Sequence, residues 1–173
     1  HIMKKNKASI DDMYNDLLNL GRIFKVEDKS NSIVDGYRKE VAALTKDIQI
    51  KNPLKVFVYD SGKDTPFTAG LFAMPTALIE AAGGKNIMDN FKKSWGTVTW
   101  EEVIDKNPEV IVIVNYGNVT AEQKREFMMT NPAFKNIDAV KNDRFVTLEY
   151  VEATPGPRNI KAIKKLVKSF WNK

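Results

Sequence analysis

Two short apolar runs constrain what this chain can fold into. Lys55-Val-Phe-Val-Tyr-Asp60 and Val110-Ile-Val-Ile-Val114 have the length and β-branched content of strands, and turn-forming residues flank them. The second is read as the most buried strand. Between them lies a loop, residues 61–74, too rich in Gly, Pro, Thr and Asp to be regular. A helix then runs from Pro75, a fitting first-turn proline, to about Ala82 and stops at Gly83-Gly84. Thr99-Trp-Glu-Glu102 reads as a capping box that opens another helix. Strand, loop, helix, connection, helix, buried strand is the order of a Rossmann-like α/β half. A third strand, Arg144 to Glu149, follows the turn at Asn142-Asp143. The rigid loop Thr154-Pro-Gly-Pro157 then leads into a final amphipathic helix from Asn159 to Trp171.

The residues before this unit are helical. Ser9 is a good N-cap with Asp11 and Asp12 in the first turn, and Ile10, Met13, Tyr14, Leu17, Leu18 and Leu20 form a stripe expected to end at Gly21. A longer helix follows Glu27-Asp28. Its apolar face, Ile33, Val34, Tyr37, Val41, Leu44 and Ile48, runs to about Gln49, which makes a rod of roughly 30 Å. His1-Ile2-Met3 reads as a vector scar, and residues 4–7 as a disordered start, so the chain is expected to be cut from something longer.

Composition narrows the chemistry. Cysteine is absent and the only histidine is His1, which removes thiolates, disulfides and the commonest general base and metal ligand. No catalytic group, metal-ligand set or resident cofactor is expected. The net charge of +5 comes from lysines spread over helix faces and both ends, without an arginine-rich run; this reads as a solvated surface rather than a nucleic-acid interface. No apolar run approaches the ~20 residues that cross a bilayer.

The candidate groups gather near strand ends. Asp60 closes the first strand, where open α/β sheets hold ligands; a turn-forming Asp is the alternative. Asp64 lies in the following loop. Gly83-Gly84 ends a helix, whereas a phosphate loop opens one, so it reads as a C-cap. Tyr59, Phe67, Trp95, Tyr116 and Tyr150 lie at or just past strand ends or in loops, and Arg158 follows the proline-rich loop. Brought together, they would form a polar-aromatic rim suited to a flat or chelated anionic ligand. The alternative is that the aromatics are partly core and Arg158 a surface residue.

Tyr59-Asp-Ser-Gly62, Pro66-Phe-Thr-Ala-Gly70, Ala82-Gly-Gly-Lys-Asn-Ile87, Trp100-Glu-Glu-Val-Ile104, Asn107-Pro-Glu-Val-Ile-Val112 and Thr154-Pro-Gly-Pro-Arg-Asn159 resemble the substrate-binding proteins of iron-complex ABC transporters. That family carries ferric siderophores, haem and cobalamin between two α/β lobes joined by one long helix. The resemblance implies an α/β, Rossmann-like three-layer second lobe, residues 53–173. Residues 9–52 would be the end of the first lobe and the bridging helix, and residues 1–8 a tag and disordered start. It implies Tyr59, Ser61, Phe67, Thr68, Trp95, Tyr116 and Arg158 as ligand contacts and Glu101 as the residue that docks on the permease. It also implies an extracytoplasmic address, periplasmic or lipid-anchored at the cell surface, and no nucleic-acid partner. With no histidine in lobe two to ligate a haem iron, ligation by tyrosine stays open. The shortened piece is expected to self-associate through its exposed helices. The rival expectations are a chelatase-like or other two-lobe α/β enzyme acting on a metal complex, and a stand-alone regulatory interaction domain.

Overall fold

The apolar runs pair side by side in the computed structural model, which describes residues 7–46, 48 and 52–171. Strand β1 (Leu54–Tyr59) lies parallel to β5 (Val110–Asn115), with Val56 opposite Val110 and Tyr59 opposite Ile113. Strand β6 (Phe145–Glu149) adds to β5, again parallel. The sheet has a fourth strand that the sequence reading missed. Gly83 makes the expected turn, at φ +85°, but Gly84 begins β3 (Gly84–Asn86), parallel to β1, and the order is β3-β1-β5-β6. A Cβ on Gly84 would stand 2.8 Å from the Phe170 ring, so glycine admits the last helix against this edge.

Strand alternation sorts the core into two layers. Val56, Val58, Val110, Val112 and Val114 face α3 (Met74–Ala81), α8 (Asn159–Trp171) and the N-terminal helices. Phe57, Tyr59, Ile111 and Ile113 face the other way, towards α4 (Trp100–Lys106), α5 (Ala121–Thr130) and α6 (Asp138–Lys141). The result is the expected three-layer α/β/α arrangement. Thr99 caps α4 by accepting from the Glu102 N–H, but Glu102 pairs with Lys106 at 2.9 Å, so only half of the expected capping box carries through. The loop of residues 61–74 is also more regular than expected. It holds β2 (Phe67–Ala69), which pairs antiparallel with β4 (Trp95–Thr97) as a small flap beside the sheet. Three-residue strands with a distant partner carry no periodic signal.

Helix α1 (Ile10–Ile23) passes through Gly21 instead of ending there. A Cβ on Gly21 would meet Ser30 Oγ at 2.0 Å, so the glycine serves the close approach of α2 (Glu27–Thr45). Helix α2 is 19 residues long, about 28 Å at 1.5 Å per residue, and ends before the expected Gln49, which lies outside the described residues. The hairpin is rooted in the α/β body. Ala8, expected in a disordered start, is buried and donates to the Leu71 carbonyl, while Lys7 pairs with Glu80. At its far end Leu20, Ile23, Phe24, Val26 and Ile33 are exposed.

Candidate functional site

The register of β5 and β6 places the central feature. Asn115 lies opposite Glu149 and donates to its carboxylate at 3.0 Å. The next residues in each strand's path, Tyr116 and Tyr150, therefore leave the sheet side by side. Their rings stack at 4.6 Å with 26° between planes, and they are 55% and 48% exposed. A second pair faces the same space from the flap: Phe67 and Trp95 stack at 6.0 Å and 11°, brought together by neighbouring positions on β2 and β4. Asp60, Val114, Ala153 and Thr154 complete a cleft of about 270 Å³. It opens at the carboxyl ends of three adjacent parallel strands, where ligands bind in open α/β sheets.

Four of the seven expected contacts, Tyr59, Ser61, Thr68 and Arg158, do not line this cleft. Tyr59 is only 2% exposed, because alternation turns it towards the opposite layer. There it packs edge-on against Trp100 at 5.4 Å, and its hydroxyl donates to the Gly62 carbonyl at 3.2 Å. Burial, with the Asp60 charge, pushes its hydroxyl up to about 12. Trp100 Nε1 reaches the Lys63 carbonyl at 2.6 Å, so Tyr59 and Trp100 together prop the loop after β1. Thr68 is fully buried and donates to the Val58 carbonyl at 2.6 Å, tying the flap to the sheet. Ser61 is exposed, and its hydroxyl donates to Asp60 at 2.9 Å. Arg158 is exposed in the turn before α8, outside the cleft lining; its guanidinium has no hydrogen-bond or ion-pair partner among the described residues. Glu101 is exposed in the first turn of α4.

Two buried charges underlie the tyrosine pair, and sequence reasoning found neither. Glu152, in the short helix α7 (Tyr150–Ala153), accepts from the Glu149 N–H at 3.0 Å and from Lys165 at 2.6 Å, with Lys161 at 3.4 Å. Burial raises its pKa, but these hydrogen bonds and lysine charges outweigh that and hold it below the ordinary glutamate value. Lys124, on α5, is 2% exposed and donates to the Val114 and Tyr116 carbonyls at 2.7 and 3.0 Å. Burial lowers its pKa, while Asp60 pulls the other way. Asn159 pins the proline-rich loop by donating to the Glu152 and Thr154 carbonyls.

Residues 2–151 match the sequence profile described as "Periplasmic binding protein". The chain belongs to this family. A periplasmic binding protein from Veillonella parvula shares the fold at a TM-score of 0.88 and 33% identity, covering 96% of this chain and 58% of that one. A "possible" iron-binding (periplasmic solute-binding) protein from Staphylococcus epidermidis aligns at 0.81 and 25%, covering 96% and 64%. A vitamin B12-binding protein of Yersinia pestis (strain Pestoides F) is 23% identical over 112 residues, 65% of this chain and 40% of its own length. The chain thus spans less than two thirds of each of these relatives. The family resemblance read from the motifs is borne out, and so is the three-layer fold.

Proposed function

We propose that this chain is the second lobe and bridging helix of the substrate-binding component of an ABC importer, one that carries a ferric siderophore, haem, cobalamin or a related metal chelate outside the cytoplasm. The observation that carries the reading is the cleft itself: in a periplasmic binding protein, two stacked aromatic pairs and Asp60 line the carboxyl edge of the sheet. Planar aromatic walls bury a rigid ligand at little entropic cost. Phe67, Trp95, Tyr116 and Tyr150 are the contacts we assign, with Asp60 in the lining, Ser61 hydrogen-bonded to it, and Arg158, exposed in the turn before α8, as the partner of an anionic group. Tyr59 and Thr68 support the site from beneath. Domain boundaries follow the same reading: we assign residues 9–52 to the end of the first lobe and the bridging helix, and residues 53–173 to the second lobe.

Glu101 is assigned to permease docking, since it is exposed on the first turn of α4 and bears no ion pair among the described residues. A rim charge of this kind governs encounter more than fold stability. The test uses the full-length protein, titrated with haemin, a ferric trihydroxamate and cyanocobalamin while tryptophan emission is followed. One of these should quench Trp95 and be recovered chemically unchanged; Trp95→Phe should abolish the quench. No binding to any of them would refute the importer reading, and turnover of the bound complex would replace it with an enzyme. In cells, Glu101→Ala should leave ligand affinity intact and abolish uptake.

A further inference from the structure

The tyrosine pair is about half exposed, so apart from the stack itself little packing holds it. Tyr116 is followed by Gly117, which has φ +81° and open space around the position a Cβ would take, and the next residues are exposed. The corner between β5 and α5 therefore gets little support from side-chain packing of its own. What meets it from below is an ammonium group. Lys124, on the buried face of α5, delivers two hydrogen bonds to the carbonyls on either side of Asn115. Asp60, at the end of the neighbouring strand β1, is the carboxylate whose charge acts on it. A methionine of similar length would fill the same space without the desolvation cost of a buried charge. The charge is thus matched to what it holds: two backbone oxygens at the exit of β5.

We propose that Lys124 is the positioning residue of the cleft, its buried ammonium clamping the Val114 and Tyr116 carbonyls so that the Tyr116 ring stands stacked on Tyr150 before a ligand arrives. The clamp works with Glu152, which fixes the start of α7 and hence Tyr150 from the other strand. One ring is set by a buried cation, the other by a buried anion, and the register of β5 on β6 brings them together. A face held this way loses little freedom on binding, which raises affinity without adding a contact. The proposal rests on reading the cleft as the ligand site, but its test needs no ligand, so the two can fail separately.

The experiment is solution NMR on this chain, unsubstituted and as Lys124→Met and Lys124→Arg. The unsubstituted chain should show cross-peaks between the Tyr116 and Tyr150 rings. In Lys124→Met the amide pattern of β1 and β5 should persist while those cross-peaks are lost. Lys124→Arg, which keeps the charge and the donors, should restore them. Cross-peaks that survive in Lys124→Met, or that are lost equally in Lys124→Arg, would overturn the proposal. If Lys124→Met does not fold, the unsubstituted chain still decides: Lys124 Nζ protons should be protected from exchange and lie close to Tyr116 Hα. Nζ protons that exchange as fast as those of exposed Lys164 would overturn it.

Discussion

Asn86→Ala should cost this chain a large share of its stability, although the substitution changes only one small amide. Asn86 is fully buried at the end of β3. Its Nδ2 donates to the Ala69 carbonyl at 2.8 Å and to Thr76 Oγ1 at 2.8 Å, and its Oδ1 accepts from the Met88 N–H at 3.0 Å. Thr76 in turn donates to the Gly70 carbonyl at 2.7 Å. One side chain therefore joins the sheet edge, the flap and the start of α3. Alanine orphans two buried backbone groups at ~1–3 kcal/mol each and leaves a small cavity, which together come to about 3–5 kcal/mol. Against a typical domain stability of ~5–15 kcal/mol this is severe. Urea denaturation followed by far-UV circular dichroism should show a lowered midpoint at unchanged slope. Thr76→Val shares the network, so the double substitution should cost less than the sum of the two by at least ~0.5 kcal/mol. A loss below about 1 kcal/mol for Asn86→Ala at constant slope would refute the reasoning, because the orphaned groups would then have found other partners.

Other consequences can be checked alongside. Glu152 titrates below the ordinary glutamate value in the folded chain, so its ion pairs contribute fully above that value; stability should fall as pH drops from the ordinary glutamate range through the lower native one, and Glu152→Gln should flatten that part of the pH–stability curve. Arg158→Ala in the full-length protein should weaken binding of an anionic chelate by roughly ten- to a hundredfold, the loss of a charge-assisted hydrogen bond of ~1.5–3 kcal/mol, with little change in Tm because the guanidinium has no partner among the described residues. The exposed apolar end of the α1–α2 hairpin should make the isolated chain self-associate in sedimentation at high concentration; Phe24→Ser and Ile23→Ser, 69% and 70% exposed, should return it to a monomer without loss of helicity.

The amino-acid order determined the large elements, because each announces itself over several residues. The valine and isoleucine runs of β1 and β5, the amphipathic stripe of α8 and the apolar faces of α1 and α2 are periodic signals, and periodicity is a local property. The aromatic and acidic residues just past β1, β5 and β6 could also be picked out, since a strand's carboxyl end in an open α/β sheet is a general place for ligands. What sequence could not decide was anything that depends on a neighbour far along the chain. Gly84 to Asn86 became a strand because β1 offered an unpaired edge, and the flap formed from two three-residue pieces that needed each other. Gly21, in a sequence context that resembles a helix end, was spent on the approach of Ser30.

The site divides in the same way. Tyr59 and Tyr116 look alike as aromatics at strand ends, but alternation sends Tyr59 into the layer beneath, and the corner after β5 leaves Tyr116 in the cleft. Lys124, in a helix whose outward residues are polar, carries no local mark of burial; only the packing of α5 on β5 takes its ammonium out of water and aims it at two carbonyls. Side-chain type and spacing could propose which residues belong to the rim. Register and layer order decided which of them meet, because a one-residue shift of β6 on β5 would move Tyr150 to the opposite face and leave Tyr116 without its partner.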